Sequence, residues 1–391
     1  MTPPAADSPP PSPRTGLALL ALALAAFALN LNTNVLGALL PFALADLALA
    51  ETHGASLLAA AAVGSALGAL LVGPATVRSS RRAVQVTGQY RLAAARALHH
   101  VPRDQYSQLS LRALSGVAVG LAYASAAALG AELVPYQRRG AALGRFNAGM
   151  FLAIPLGMPL AVVFANLGAW RAIFAVQAAI GLGAAVLAVR TVPAIPAAEQ
   201  RGSTWQVLRN KPAMWVLFAT LLHVGSFFTT VQLATTWLDR TGRVAKHDQL
   251  WLWIGLGLFS VLGSAVFGRV ADGVGKRRFV LGTSVLLAAG FVALAQEPTA
   301  WLLLVLGLGI AVVAAARTGP LQALVSGLVP SHELGALMGL RGFAMQIGVA
   351  GFAVVAAPVG GAAGFPGVLW LAAGWQALSF VIVGLAVRGM R

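Results

Sequence analysis

Two residues stand where their chemistry would matter most, inside apolar runs of the sequence. Arg317 falls within the run 299–327, and His223 lies about ten residues into the run 213–238. A cation at membrane depth is costly, and such residues mark substrate or ion sites by default. A histidine there can carry a proton near neutral pH, or serve as a hydrogen-bonded structural group. Arg317 has no obvious acidic partner, because none of the 11 Asp and Glu residues falls clearly within a run. That argues against carboxylate-driven proton coupling and leaves a small anionic or polar substrate open. The six histidines form no HExxH spacing, and the absence of cysteine excludes disulfides and cysteine metal sites. Neither paired carboxylates nor a Ser/His constellation stands beside the runs. The expectation is a non-enzyme with no cofactor and no metal.

The elements that hold these residues follow from composition. Of 391 residues, 58% are hydrophobic and 10% charged, with a mean hydropathy of +0.80. No soluble domain buries that much apolar surface, so the chain belongs in a membrane. The net charge of +16 is spread over short loops. It reads as the basic bias of cytoplasmic loops and not as a nucleic-acid surface. Spans are expected near 17–44, 55–77, 109–134, 140–166, 170–192, 213–238, 249–271, 279–296, 299–327, 334–358 and 366–388, with a twelfth slot at 83–106. Proline-rich residues 1–15 read as a disordered cytoplasmic tail. Residues 193–212 read as a cytoplasmic linker between six-helix units at 16–192 and 213–391.

Two landmarks recur at one offset. Gly73 is followed 195 residues later by Gly268, and Leu133-Val134-Pro135 by Leu328-Val329-Pro330 at the same spacing. Gly140 and Gly144 match Gly335 and Gly339 in the same way. The halves therefore read as an internal duplication. Basic residues gather at even-numbered exits: Arg138, Arg139, Arg145, then Arg190, Arg201, Arg209 and Lys211, then Lys276, Arg277 and Arg278. This places both termini in the cytoplasm of an inner-membrane protein.

The third slot conflicts with its role. Arg91 and Arg96 would each cost roughly 2.5–3.5 kcal/mol near a bilayer centre. Yet without a crossing here, spans two and four would run the same way. One resolution is a local reading-frame change near codons 77–106 that preserves length. The other is ordinary divergence, with the arginines snorkelling or buried against neighbouring helices.

Gly268 to Arg278 carries Gly-x-x-x-Asp-x-x-Gly-Lys-Arg, with Gly268, Asp272, Gly275, Lys276 and Arg277 at the defining positions. This pattern, together with two six-helix halves, resembles the major facilitator superfamily across essentially the whole chain. The resemblance implies an all-α polytopic protein of twelve helices in two halves, the third helix atypical. It implies that this loop latches one half to the other, with Asp272 meeting the start of helix five near Gly140. The first-half copy, Gly73 to Arg82, keeps Arg78, Arg81 and Arg82 but has Val77 at the acid and Ser80 at the second glycine.

Arg112-x-x-x-Gly116 is similar to the family's fourth-helix motif, linked to proton coupling in antiporters. Gly149, Pro155, Gly157 and Pro159 are similar to its fifth-helix glycine/proline motif. These point to the drug:proton antiporter branch that includes arabinose and chloramphenicol exporters. The resemblance places a cavity between helices one, four, seven and ten. Asn30, Asn32, Asn34, Tyr123, His223, Gln232 and Arg317 are its candidate liners, although asparagines two apart cannot all share one face. The implied activity is proton-coupled efflux of small organic molecules, drugs or sugars, by a monomer in the lipid bilayer. The alternative is a non-transporting relative disabled by its third span.

Overall fold

A computed structural model describes residues 13–46, 52–98, 104–194, 204–242 and 246–387. Among these the chain is helical, with twelve long segments. They are α1 (Pro13–Asp46), α2 (Thr52–Leu70), α3 (Arg81–Leu98), α4 (Gln105–Glu132), α5 (Arg139–Asn166), α6 (Ala172–Thr191), α7 (Lys211–Thr241), α8 (Lys246–Val274), α9 (Lys276–Ala295) and α10 (Ala300–Ser326). The last stretch, Leu334–Ala386, breaks at Gly364, whose φ of 65° and ψ of −168° no helix holds. Glycine tolerates that backbone, and Pro366 restarts the chain beyond it. Residues 334–363 are α11 and 365–386 are α12.

Several sequence boundaries move. Pro13, Arg14 and Thr15 belong to the first turn of α1 and not to a tail. The 193–212 connection contains a short helix at Thr204–Arg209, and Lys211 and Pro212 already begin α7. Asn210 caps α7, accepting from Ala213 N at 3.1 Å. The third slot forms a helix from Arg81 to Leu98, and residues 99–103 lie outside the described ones. Asp104 caps α4. The Ser107 hydroxyl and then the Ser107 backbone N–H hold its carboxyl below the usual range.

Small residues set the packing. Gly64 and Gly68 of α2 lie on the Ala113 and Val117 carbonyls of α4, while Gly116 and Gly120 of α4 lie on Ala61 and Ser65 of α2. A side chain at any of the four would collide with backbone, so the pair packs closer than larger residues allow. Leu22, Leu129, Leu143 and Phe146 fill the core between α1, α4 and α5. The halves meet through α5 with α8 and α10, and through α11 with α2 and α4.

The duplication is visible in these contacts. Gly144 of α5 seats on the Ser264 carbonyl of α8. Gly339 of α11 seats on Ala69 of α2, both partners displaced by the same 195 residues. Arg82 donates to the Val192 carbonyl at 2.9 Å and the Val189 carbonyl at 3.4 Å. Its counterpart Arg277 donates to the Gly384 carbonyl at 3.0 Å, and Gly384 is the counterpart of Val189.

By length and composition, nine helices among the described residues could cross a membrane. One of these is the stretch that holds both α11 and α12, and α3 is not among the nine. The physical reason α3 nonetheless packs is that its polar side faces protein. Gln85, Gln89 and Arg96 are buried against neighbours, while Tyr90 and Arg91 are exposed. Arg96 donates to the Gln177 carbonyl of α6 and the Ala28 carbonyl of α1, both at 2.9 Å. Both amide atoms of Gln85 and of Gln89 are buried without a hydrogen-bond partner.

Candidate functional site

The helix starts and turns that carry Gly140, Gly335, Gly275 and Arg81 lie at one end of the bundle, called here the basic end. Gly275 takes φ 102° between α8 and α9, a conformation open to glycine. That turn brings Asp272 and Lys276 together at 2.8 Å. The Asp272 carboxylate accepts from Gly140 N at 3.0 Å and Ala141 N at 2.8 Å. These are unsatisfied N–H groups of the α5 start, in the other half, where the helix dipole also favours an anion. A Cβ on Gly140 would fall 2.5 Å from Asp272 Oδ1, so this approach requires glycine. Lys276 donates onward to the Gln137 carbonyl at 3.2 Å and lies over the Tyr136 ring at 4.6 Å. Arg139 crosses the seam as well, donating to the Ser326 carbonyl at 3.0 Å and hydroxyl at 3.1 Å.

The first-half counterpart is built differently. Ser79 is extended, with φ −141°, and ends the short helix Val72–Arg78. The side chains of Val77 and Arg78 lie outside the described ones. Arg81 pairs with Glu132 of its own half and donates to the Ser331 carbonyl of the other half at 2.6 Å. Arginine thus bridges the seam on the side that lacks the acid.

Deeper in, a polar layer connects both halves. The Tyr123 hydroxyl of α4 donates to Asn147 Oδ1 of α5 at 3.1 Å. Asn147 Nδ2 donates to Gln322 Oε1 of α10 at 3.0 Å, crossing the seam. Arg341 of α11, in the opposite half, is buried, with its Nε lacking a hydrogen-bond partner. Phe151 and Phe228 stack across the seam, with centroids 6.3 Å apart. In the second half, Gln376 of α12 donates to the Ser226 hydroxyl at 2.7 Å and lies 3.3 Å from His223 Nδ1. It accepts from Arg317 at 3.1 Å, and Arg317 also donates to the Ser379 hydroxyl at 2.8 Å.

The structure separates the sequence candidates. Tyr123 joins the seam layer. His223 and Arg317 share one network, but both lean on α12, a helix outside the expected lining. Gln232 is exposed on α7 and joins neither group. Asn30 is half-buried and donates to the Ala26 carbonyl of its own helix at 3.0 Å. The side chains of Asn32 and Asn34 lie outside the described ones.

Arg112 is buried, with its guanidinium 5.2 Å from the Phe174 ring centroid, and Gly116 serves the α2 contact. Gly149 admits the Ala23 carbonyl, Gly157 faces Leu31, and Pro155 abuts Gly257 across the seam. Pro159 lies half-buried inside α5. Sequence reasoning missed Asn147, Gln322, Arg341 and Gln376. Arg341 was findable as a second cation inside an apolar run. It lies near the start of span eleven, where an arginine also reads as an interface anchor.

A helical membrane bundle of two duplicated halves, sealed across the seam at one end, is the architecture of an alternating-access transporter. Residues 22–244, more than half of the chain, match the family model of the Major Facilitator Superfamily, and the chain belongs to that superfamily. Its apolar helices and its family make it an integral multi-pass membrane protein. It is 26% identical over 192 residues to a probable sugar efflux transporter of Mannheimia succiniciproducens. It is 28% identical over 197 residues to one of Pasteurella multocida. Each alignment covers 48% of both proteins, so the chain spans about half the length of the curated relatives it matches. The crystal structure of the human organic anion transporter MFSD10 superposes with a TM-score of 0.75 at 19% identity. The match covers 96% of this chain and 100% of that one, a likeness of fold.

Proposed function

We propose that this protein exports small polar organic molecules across the plasma membrane in exchange for protons, by rocking its halves around a central site. The basic end faces the cytoplasm, and both termini lie on that side. The observation that carries the reading is the Asp272 carboxylate on the Gly140 and Ala141 amides, a contact between halves. It holds the cytoplasmic end shut in the outward-open state and must break for substrate to enter from inside. Efflux as the direction is supported by the sugar efflux relatives. His223 is the titratable ring of the buried network and the residue to test for proton exchange. The test is uptake by inside-out proteoliposomes under a pH gradient. Absence of gradient-dependent movement for every sugar and drug tried, from folded protein, sinks the reading.

A second reading has its own observation. The unpartnered amides of Gln85 and Gln89 weaken α3, which fits a relative that no longer transports. Glycosylation mapping separates the two: failure of α3 to insert favours the inactive protein.

A further inference from the structure

We propose that an anionic phospholipid docks in a groove between α1, α5 and α8, with one acyl chain along the groove and its phosphate on Arg145. The site concerns the bilayer and does not depend on the transport reading.

The groove follows from residue size and helical spacing. The Ser264 hydroxyl of α8 donates to the Gly144 carbonyl of α5 at 2.8 Å, so the two helices touch there. Arg145 and Ala265, the next residue on each helix, line a groove of about 300 Å³ beside this contact. Ala148 and Leu152 continue the α5 wall, and Leu20 and Leu24 belong to the α1 wall. Residues spaced by three, four or seven share a helix face, so each wall is one stripe. The small side chains of Ala148 and Ala265 leave the space open. Two walls belong to the first half and the third to the second half.

The groove meets lipid. Leu20 and Leu24 are 52% and 37% exposed, on a helix apolar enough to cross a membrane. The α1 wall runs from Gly16 to Phe27, about 16 Å by helical rise. Gly149 meets Ala23 and Gly157 meets Leu31, so α1 and α5 run in one direction and both start at the basic end. The groove therefore lies lengthwise across one leaflet. At that depth an open apolar channel faces hydrocarbon and not water, and an acyl chain fills it.

Charge selects the headgroup. Arg145 has the only polar side chain among the described residues that line the groove. It is half-buried and stands six residues into α5, about 9 Å from the basic end by helical rise. The ion pairs of the described residues join Arg81 to Glu132, Arg171 to Asp46, Lys276 to Asp272 and His332 to Glu333, and none takes Arg145. Arg269 is exposed one turn beyond Ala265, on the basic-end side of the groove. An arginine stem lies along apolar surface while its head reaches the phosphate level, and the guanidinium fork suits phosphate oxygens. Two cations at one mouth favour a headgroup of net negative charge over a zwitterionic one.

The test uses the full-length protein in detergent, with native mass spectrometry counting retained molecules. The probes are dioleoyl phosphatidylglycerol, dioleoyl phosphatidylethanolamine and glycerol 3-phosphate. The first two differ in headgroup charge, and the third is a headgroup without chains. Wild type is expected to retain phosphatidylglycerol over phosphatidylethanolamine and to leave glycerol 3-phosphate unbound. Arg145→Gln should lower phosphatidylglycerol retention about 5-fold, the scale of one arginine at an anionic leaflet. Arg145→Lys keeps the charge and should keep the preference, so a folding defect in the glutamine variant does not decide the matter. Ala265→Phe fills the groove and should lower retention with Arg145 in place. Arg190→Gln removes an exposed cation from the last turn of α6, outside the groove, and should change nothing.

Equal retention of the two lipids by wild type, or phosphatidylglycerol retention that Arg145→Gln leaves intact, overturns the proposal. An equal loss in Arg190→Gln shows a general attraction to the basic end and overturns it as well. So does retention unchanged in Ala265→Phe, or glycerol 3-phosphate bound as well as the lipid, since either takes the acyl chain out of the groove.

Discussion

Asp272 Oδ1 stands 3.0 Å from the backbone nitrogen of Gly140, which belongs to the opposite half. Oδ2 takes Ala141 N at 2.8 Å. Hydrogen bonds to a charged acceptor contribute about 1.5–3 kcal/mol each. Asp272→Asn turns one acceptor oxygen into a donor facing an N–H. The population open at the basic end should rise about 10- to 100-fold. The chain has no cysteine, so spin labels at Gln137→Cys and Pro330→Cys report the distance directly. An unchanged distance distribution refutes the latch.

The first-half side should respond in a different order. Glu132 pairs with Arg81 inside its own half, whereas Arg81 also holds the Ser331 carbonyl across the seam. Arg81→Gln should therefore open the basic end more than Glu132→Gln does. The same label pair measures both, and the reverse order contradicts the assignment.

Replacing the unpartnered amides of α3 should stabilise the protein. Both polar atoms of Gln85 and of Gln89 are buried and unbonded, and each such group costs about 1–3 kcal/mol. Gln85→Leu and Gln89→Leu should raise the melting temperature in detergent. A fall for both would show that water or another group serves these amides. The DNA between codons 77 and 106 bears on the same helix: an apolar alternative frame there would trace its polar face to a reading-frame change, and its absence leaves ordinary divergence.

Glycine placement predicts a contrast. Gly116→Val drives a side chain into the Ala61 carbonyl and should destabilise by about 1–3 kcal/mol. At Gly183 an added methyl would meet no atom within 4 Å. Gly183→Ala should be neutral or stabilise by up to about 1 kcal/mol. Thermal melting of the two variants checks the pair.

Proton exchange places a demand on His223, buried beside Gln376. His223→Gln should abolish acceleration by a pH gradient while leaving substrate counterflow. Intact gradient dependence in that variant moves the proton carrier elsewhere.

Much of the fold could be read from residue order, because hydropathy marks the long apolar helices. The 195-residue offset matched Gly144 to Gly339, and the two make equivalent contacts. It joins Gly144 on Ser264 to Gly339 on Ala69. The signature turn was readable because its demands are local: Gly275 supplies a positive φ, and Asp272 lies one turn before Lys276.

The inner layer was less readable. Arg317 stood out by its cost, but its partners Gln376 and Ser379 lie 59 and 62 residues away on another helix. Asn147, Gln322 and Arg341 are single polar residues in apolar runs, and no local spacing links them. The third helix shows the same limit. Its arginines read as a fault until Arg96 meets the carbonyls of Gln177 and Ala28, which only helix packing brings within reach.

By itself the sequence determined the membrane class, the duplicated halves and the glycine–acid turn, since each rests on composition or on contacts along a few residues. Tertiary structure decided which polar groups share the seam. That required α4, α5 and α10 to converge, so that Tyr123 meets Asn147 and Asn147 meets Gln322, while Arg317 turns to α12. The sequence marks Arg317 as a buried cation, and only its neighbours Gln376 and Ser379 show it to be a strut within one half.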